Sequence, residues 1–297
     1  MWKPILLSCA LILPVAAAPG AKREVFYAGD ITPASIAPTF DNGYLAVYDL
    51  DRAAPVYAPD GSLAFRFLPP HGSVHNVAVD VDGAAAFALA NLGPNDRGGI
   101  SIANPEGVQI QWIDTGDYVP SGLSFAPDHS LWTIGWKREL SSGPELPQYE
   151  ILRHYSRDGR ELGRYLPRSS FAVEFPVGGP HPPTIGWTGG WGLRIAGGRI
   201  GACLLVGRKG LWVETDMSGK ELGRWPLDPD GSPNAITADG TVYASTPRGI
   251  LALDRSSGQW KPTAVQVPNG ILLGAQGAQL VFAIRGEKRL LWLPAKP

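Results

Sequence analysis

Five polar residues stand at or just before the start of short apolar runs, and their side chains could do chemistry together. They are His75, Asn76, Ser121, Asn234 and Asn269. Imidazole, amide and hydroxyl groups donate and accept hydrogen bonds without a fixed charge, which suits recognition of a polar ligand. An Asn or Ser at such a point can instead satisfy backbone groups of its own loop, so both roles stay open.

A second set of candidates lies in stretches that interrupt the apolar pattern. Charges and tryptophans in long connections are typical of binding surfaces. We expect ligand contacts from Asp96, Arg97, Arg138, His181, Trp187 and Trp191. His71, His75 and His181 could alternatively bind a soft metal ion. The sequence has no nucleophile elbow, zincin or phosphate-loop motif, so no catalytic residue is assigned.

Paired turn residues indicate how these side chains are positioned. A first series of tight turns comprises Asn42-Gly43, Asp82-Gly83, Asp128-His129, Gly197-Gly198, Asp239-Gly240 and Gln276-Gly277. A second, interleaved series comprises Asp60-Gly61, Glu106-Gly107, Asp158-Gly159, Ser218-Gly219 and Ser257-Gly258. Two hairpins per unit make four strands, and most units repeat at the ~40–50 residues of a propeller blade. We therefore predict an all-β, six-bladed β-propeller of four-stranded antiparallel blades.

The two ends of the chain complete this prediction. The last unit is one strand short, and residues 25–28 form a strand-like run without a hairpin partner. We expect this N-terminal strand to supply the missing outer strand and close the ring, because closure leaves no unpaired sheet edge.

The spacing of the turns locates three insertions, at 91–99, 137–148 and within 167–190. In a propeller, the connection between the second and third strands and the connection to the next blade lie on one face. All three insertions belong to that face, which we call the long-loop face. Binding residues are often found on long loops of a rigid scaffold, so this face is the predicted binding surface.

One internal repeat predicts packing between blades. The segment 159–165 (GRELGRY) recurs as 219–225 (GKELGRW), and both copies begin at a turn of the second series. We expect their aromatic residues, Tyr165 and Trp225, to pack between neighbouring outer strands.

Composition and the N-terminal residues restrict the class of protein. A formal charge of −1 with no basic stripe argues against nucleic acid as a partner. Residues 1–18 have the layout of a secretory signal peptide, which predicts one domain at 19–297, periplasmic or secreted. We expect no transmembrane segment in that domain. Its single cysteine, Cys203, lies in an apolar run and is expected to be a buried hydrophobic residue.

The segment 120–128 (PSGLSFAPD) resembles the blade-opening signature of NHL-repeat propellers, and 74–83 and 233–240 are looser copies. In size and blade count, the chain is also similar to the gluconolactonase-like (SMP-30) six-bladed enzymes. That resemblance implies a divalent metal on the channel axis, held by a Glu, an Asp and asparagines. Asn76, Asn234 and Asn269 could stand at comparable heights, but Glu24 lies at the signal junction and no Asp opens a strand.

The sequence thus favours a binding module that presents its long-loop face to a protein, peptide or glycan, without a cofactor. The alternative is a metal-assisted hydrolase or lyase, lactonase-like, that acts on a small molecule in the channel mouth. Whether the protein is an enzyme stays open at this point.

Overall fold

A computed structural model describes residues 22–29, 31, 37–48, 53–69, 71–90, 97–137, 149–174, 192–206, 209–227 and 231–295. The predicted signal peptide lies outside these residues and remains a prediction. Among the described residues, no helix has the length and apolarity needed to cross a bilayer.

The described chain is almost entirely β-structure. In chain order, the strands up to the end of the second sheet are β1 (Arg23–Phe26), β2 (Ala37–Asp41), β3 (Tyr44–Tyr48), β4 (Ala54–Tyr57), β5 (Leu63–Phe67), β6 (Ser73–Val79), β7 (Ala85–Ala90), β8 (Gly98–Ala103) and β9 (Gln109–Gly116). The next eight are β10 (Tyr118–Phe125), β11 (Leu131–Lys137), β12 (Glu150–Tyr155), β13 (Glu161–Pro167), β14 (Leu193–Ala196), β15 (Arg199–Val206), β16 (Lys209–Asp216) and β17 (Glu221–Pro226). The last are β18 (Ser232–Ile236), β19 (Val242–Thr246), β20 (Gly249–Asp254), β21 (Gln259–Pro262), β22 (Gly270–Gln276), β23 (Gln279–Ile284) and β24 (Arg289–Pro294). A short 3-10 helix, Arg168–Glu174, follows β13.

These strands form six four-stranded antiparallel blades, as predicted. Blades 1 to 5 begin at β2, β6, β10, β14 and β18 and use four consecutive strands each. Blade 6 has the order β1-β24-β23-β22. Its outer strand is the N-terminal β1, which pairs from Arg23 opposite Trp292 to Phe26 opposite Arg289. The ring is therefore closed by the N-terminal strand.

The first strand of each blade is its inner strand, and the six inner strands contact one another in a closed ring. Because the ring has six members in chain order, blades 1 and 4 face each other across the central channel. The tight hairpins of the first and second series lie on one face, here called the tight-turn face. The connections from second to third strands and between blades lie on the long-loop face.

The core lies between blades. Phe67 of blade 1 stacks on Phe87 of blade 2 at a centroid distance of 3.9 Å. Trp132, Trp212 and Trp292 are fully buried. Cys203 is also fully buried, and burial raises the pKa of its thiol to about 12, so it is the hydrophobic residue that its apolar run predicts.

The internal repeat packs between blades, which confirms the prediction. Tyr165 of blade 3 lies against the turn glycine of blade 4, Gly219, where an added Cβ would stand 2.0 Å from the ring. Trp225 of blade 4 stands in the same relation to Gly258 of blade 5, at 3.6 Å. Each aromatic ring therefore covers the outer turn of the next blade.

Candidate functional site

Three of the predicted site residues are β-bulges in inner strands. The ladder is shifted between Val74 and Asn76, between Pro120 and Gly122, and between Pro233 and Ala235. His75, Ser121 and Asn234 are the residues left unpaired at these shifts. A bulge re-aims a side chain and commonly stands next to a functional site. The inner strand of blade 6 has a fourth bulge, at Leu273.

Two predicted asparagines connect the inner strands of neighbouring blades. Asn76 Oδ1 accepts from the backbone N–H of Leu123 in blade 3 at 2.9 Å, and its Nδ2 donates to Tyr48 Oη in blade 1 at 3.3 Å. Asn234 Nδ2 donates to the carbonyl oxygen of Leu272 in blade 6 at 2.9 Å. Both amides are buried. They satisfy backbone groups on the open edges of the inner strands, so their first role is to hold the ring together.

His75 and Ser121 remain accessible to a ligand. Ser121 Oγ donates a long hydrogen bond to the carbonyl oxygen of Ile134 in its own blade, at 3.3 Å. His75 is partly buried, and this burial lowers the pKa of its imidazole, so the ring is neutral at pH 7. No described residue hydrogen-bonds to the His75 side chain. A neutral imidazole here can donate to a ligand with one nitrogen and accept with the other.

Other predicted residues are placed away from this group or are not described. Asn269 is exposed in a left-handed turn at φ 58°, where its carbonyl accepts from the N–H of Arg285. The expected ring of five polar side chains therefore lacks Asn269, because the turn before β22 turns it to solvent. Arg97 is exposed and paired with Asp114 at 2.7 Å. Asp96, Arg138, His181, Trp187 and Trp191 lie outside the described residues.

A buried arginine that lies along the channel wall was not among the residues predicted from the sequence. Arg194 lies on β14, the inner strand of blade 4, and is only 8% exposed. Its Nε donates to the carbonyl oxygen of Asn234 in blade 5 at 2.9 Å, and its Nη2 to that of Leu273 in blade 6 at 3.2 Å. Its Nη1 donates to the carbonyl oxygen of Leu193 at 3.0 Å. The guanidinium thus follows the channel wall across three blades.

Asp41 approaches Arg194 from the opposite blade. Asp41 is the last residue of β2. Burial raises the pKa of its carboxyl to about 7. The attraction of Arg194 and a hydrogen bond from the Val79 N–H act in the opposite direction and lower this pKa, but burial outweighs them. Asp80 adds repulsion that favours the protonated form. The Asp41 Oδ2 atom is buried without a hydrogen-bond partner among the described residues. A carboxyl that titrates near neutral pH can transfer a proton or respond to a nearby charge.

These groups line the channel between its two mouths, and together we call them the channel lining. Its side chains come from four blades, and blades 3 and 6 contribute the backbone groups of Leu123, Leu272 and Leu273. The members are Asp41, Tyr48, Asn76, Arg194 and Asn234. Burial also raises the pKa of Tyr48, so its hydroxyl stays protonated and hydrogen-bonded to Thr39 and Asn76.

A second polar cluster lies on the tight-turn face, between blades 2 and 3. Asp80, Asp82 and His129 place one ligand atom each within 4.8 Å of one another, the spacing of a metal site. However, His129 Nδ1 contacts Asp80 Oδ2 at 2.7 Å, and Arg157 Nη1 contacts Asp82 Oδ2 at 2.7 Å. The other two oxygens accept from the N–H groups of Val81 and Ala84.

Asp80, Asp82, His129 and Arg157 together form what we call the tight-turn cluster. The guanidinium of Arg157 already supplies a positive charge in it. Burial would raise the pKa of Asp82, but hydrogen bonds from Ala84 and Arg157 outweigh burial and lower it. Since all four carboxylate oxygens have partners and Arg157 already supplies a positive charge, the donor set fits an inter-blade brace better than a divalent metal. At the bulges on the inner strands, the described side chains include no carboxylate, so the metal set implied by the gluconolactonase resemblance is not found there.

Comparison with solved structures places the fold among known propellers. A gluconolactonase from Xanthomonas campestris is 17% identical, with a TM-score of 0.53 over 94% of this chain and 99% of that chain. A protein of unknown function from Bacteroides caccae is 13% identical, with a TM-score of 0.52 over 81% of this chain and 82% of that chain. At these identities the likeness establishes the fold alone. The chain matches no protein-family model and no curated protein.

Proposed function

We propose that this propeller binds a polyhydroxylated ligand, a saccharide or a sugar-derived molecule, at the mouth of the channel on the long-loop face. The observation that carries the proposal is the set of bulges at His75, Ser121 and Asn234 in three inner strands. Each bulge interrupts an otherwise regular ladder at a polar residue. Bulges are maintained features that re-aim side chains, so three of them at polar residues favour a built site.

The chemistry of these side chains suits hydroxyl groups. A neutral imidazole, a serine hydroxyl and an amide each donate and accept hydrogen bonds, as sugar hydroxyls do. A concave site with a few convergent polar groups is the usual form of a small-molecule site. Under this proposal, the long connections shape the entrance, and a protein or peptide partner is the competing possibility.

The first experiment is a binding screen of mono- and oligosaccharides, sugar acids and lactones, followed by calorimetric titration of the best ligand. Replacing His75 by Ala removes one accessible hydrogen-bonding group and is expected to weaken binding about tenfold, equivalent to ~1.4 kcal/mol. His71→Ala is the matched control, because His71 is exposed four residues earlier on the same face. The proposal fails if no member of the panel binds, or if the two variants bind equally well.

A second candidate function is hydrolysis of a lactone. It is favoured by the match of the fold to a gluconolactonase along 94% of this chain. The test is acid release from a panel of sugar lactones at constant pH, with elemental analysis of the purified protein. Turnover that His75→Ala reduces and His71→Ala preserves would support it. Absence of turnover with every lactone would remove this candidate and leave the binding proposal standing.

Export is a separate proposal that rests on residues 1–18. Expression of the full chain in a bacterium with a standard secretion pathway should yield a periplasmic or extracellular protein beginning at Pro19. Recovery of an uncleaved chain from the cytoplasm would contradict it.

A further inference from the structure

We propose that the ligand of the channel carries a carboxylate and that the Arg194 guanidinium receives it. This inference rests on the proposed function, because it names the chemical class of the molecule bound at the same site. A sugar acid or another hydroxy acid combines the two features that the channel recognises: hydroxyl groups for the bulge residues and one negative charge for Arg194.

Arg194 has no direct ionic partner among the described residues, and Asp41 attracts it only from beyond salt-bridge distance. Its three hydrogen bonds all go to backbone carbonyl oxygens. No carboxylate among the described residues lies within salt-bridge distance of its guanidinium. Isolating a full charge from water with only dipoles as partners is costly, and proteins usually pair such a charge. An anionic ligand would supply the missing partner.

Arg194 also has hydrogen-bond donors left for a ligand. A guanidinium has five N–H groups, and the hydrogen bonds above use one each on Nε, Nη1 and Nη2. One N–H on Nη1 and one on Nη2 have no acceptor among the described residues. The three backbone bonds fix the guanidinium, so a ligand would meet a preorganised cation and lose little side-chain entropy.

The charges already present in the channel limit how much negative charge the ligand can carry. Asp41 attracts Arg194 from blade 1, and its buried Oδ2 has no hydrogen-bond partner among the described residues. The groups that act on Asp41 are Arg194 from β14 and Asp80 at the end of β6. A single guanidinium can balance one ligand carboxylate if Asp41 takes up a proton. A dianion such as phosphate would bring a second negative charge that Arg194 cannot balance, so the chemistry favours a monoanionic carboxylate.

The test compares two probes that differ at one carbon. D-Gluconate and sorbitol have the same chain of hydroxyl groups, but gluconate ends in a carboxylate and sorbitol in a hydroxymethyl group. Calorimetric titration of the full chain should show at least tenfold tighter binding of gluconate than of sorbitol. Arg194→Met should remove this preference, so that gluconate and sorbitol bind about equally well. Arg285→Met, an exposed arginine near the same face, should leave it unchanged.

A second readout does not depend on the Arg194 variant folding. Titration of the wild type near pH 7 in buffers of different ionisation enthalpy should reveal net uptake of a fraction of one proton on gluconate binding. This uptake is expected because a ligand anion near Asp41 favours its protonated form. Asp41→Asn should abolish the uptake.

The outcomes separate the two proposals. Equal binding of gluconate and sorbitol without proton uptake would overturn the carboxylate inference and leave the binding function intact. Sulfate binding as tight as that of gluconate would also overturn it, because the site would then recognise any anion. Binding of a peptide, with no saccharide or sugar acid bound, would overturn both proposals.

Discussion

Arg194 on the inner strand of blade 4 donates a hydrogen bond to the carbonyl oxygen of Leu273 on the inner strand of blade 6, at 3.2 Å. This bond passes over blade 5, to which the same guanidinium is bonded through the Asn234 carbonyl oxygen. One side chain therefore connects three blades. The centre of the propeller is a specific polar structure, and its perturbation should affect both stability and ligand binding.

We expect Asn76→Ala to destabilise the protein by about 1–3 kcal/mol, because it leaves the buried N–H of Leu123 without its acceptor. Chemical denaturation in urea measures the loss. Asn269→Gly is the control: Asn269 is exposed and has a left-handed backbone that glycine adopts easily, so its effect should stay within about 0.5 kcal/mol. Equal effects of the two variants would contradict the bridging role of Asn76.

Glu214 is expected to be a stabilising residue between blades 4 and 5. Its carboxylate is fully buried and contacts Arg199 at 3.1 Å, Arg255 at 2.7 Å and Trp212 Nε1 at 2.8 Å. Glu214→Ala should cost about 3–5 kcal/mol, since it leaves two arginines without their shared partner.

The matched control for Glu214 is Glu221→Ala. Glu221 forms a more exposed pair with Arg224 at 2.6 Å, for which a loss of 1 kcal/mol or less is expected. Urea denaturation of both variants is the measurement. A Glu214 variant as stable as the Glu221 variant would be inconsistent with a buried cluster.

The pKa of Asp41 predicts a pH dependence of stability. Its folded value of about 7 exceeds the unfolded value of ~3.9, so the folded state holds an extra proton between these limits. The contribution of Asp41 to stability is therefore complete below pH 3.9 and is lost as the pH rises through 7. Asp41→Asn should remove this loss and stabilise the protein relative to wild type at pH 8, by about 1–4 kcal/mol.

The measurement for Asp41 is the difference in unfolding free energy between variant and wild type at pH 5 and pH 8. That difference should be larger at pH 8. Asp117→Asn is the control, since the Asp117 side chain is 58% exposed. A difference that does not change with pH would mean that Asp41 is ionised at both values.

Gly219→Ala should strongly destabilise the contact between blades 3 and 4. The residue has φ +82°, and an added Cβ would lie 2.0 Å from the Tyr165 ring, so strain and overlap combine. Gly277→Ala isolates the backbone strain, because Gly277 has φ +60° with nothing within 4 Å of the added Cβ. The melting temperature should fall several degrees further for the Gly219 variant; equal falls would show that the ring moves away freely.

Much of the architecture could be predicted because it depends on local chemistry. In turn pairs such as Asn42-Gly43 and Ser218-Gly219 the glycine adopts a positive φ that few other residues tolerate, so each pair marks a hairpin in the sequence. Counting those hairpins was sufficient for six blades and for a closing N-terminal strand.

The channel lining could be predicted only in part. His75, Ser121 and Asn234 stood out because polar residues interrupt apolar runs there, but their bulges depend on pairing with the next strand. In the sequence, Asp41 precedes the Asn42-Gly43 turn and Arg194 lies in a short run after a glycine, and neither position points to the other. Their meeting follows from the opposition of blades 1 and 4, which is a property of the closed ring and of no local segment.

The tight-turn cluster was missed for a related reason. His129 looked like an isolated turn residue, whereas its partner Asp80 lies 49 residues earlier in the neighbouring blade. Only the stacking of blades brings the two turns together.

A crystal structure of the protein with its tightest-binding saccharide or sugar acid would test the proposed site directly. We expect the ligand at the channel mouth on the long-loop face, within hydrogen-bond distance of His75 and Ser121, with any carboxylate at Arg194. A ligand bound instead on the tight-turn face, beside Asp80 and His129, would contradict this expectation.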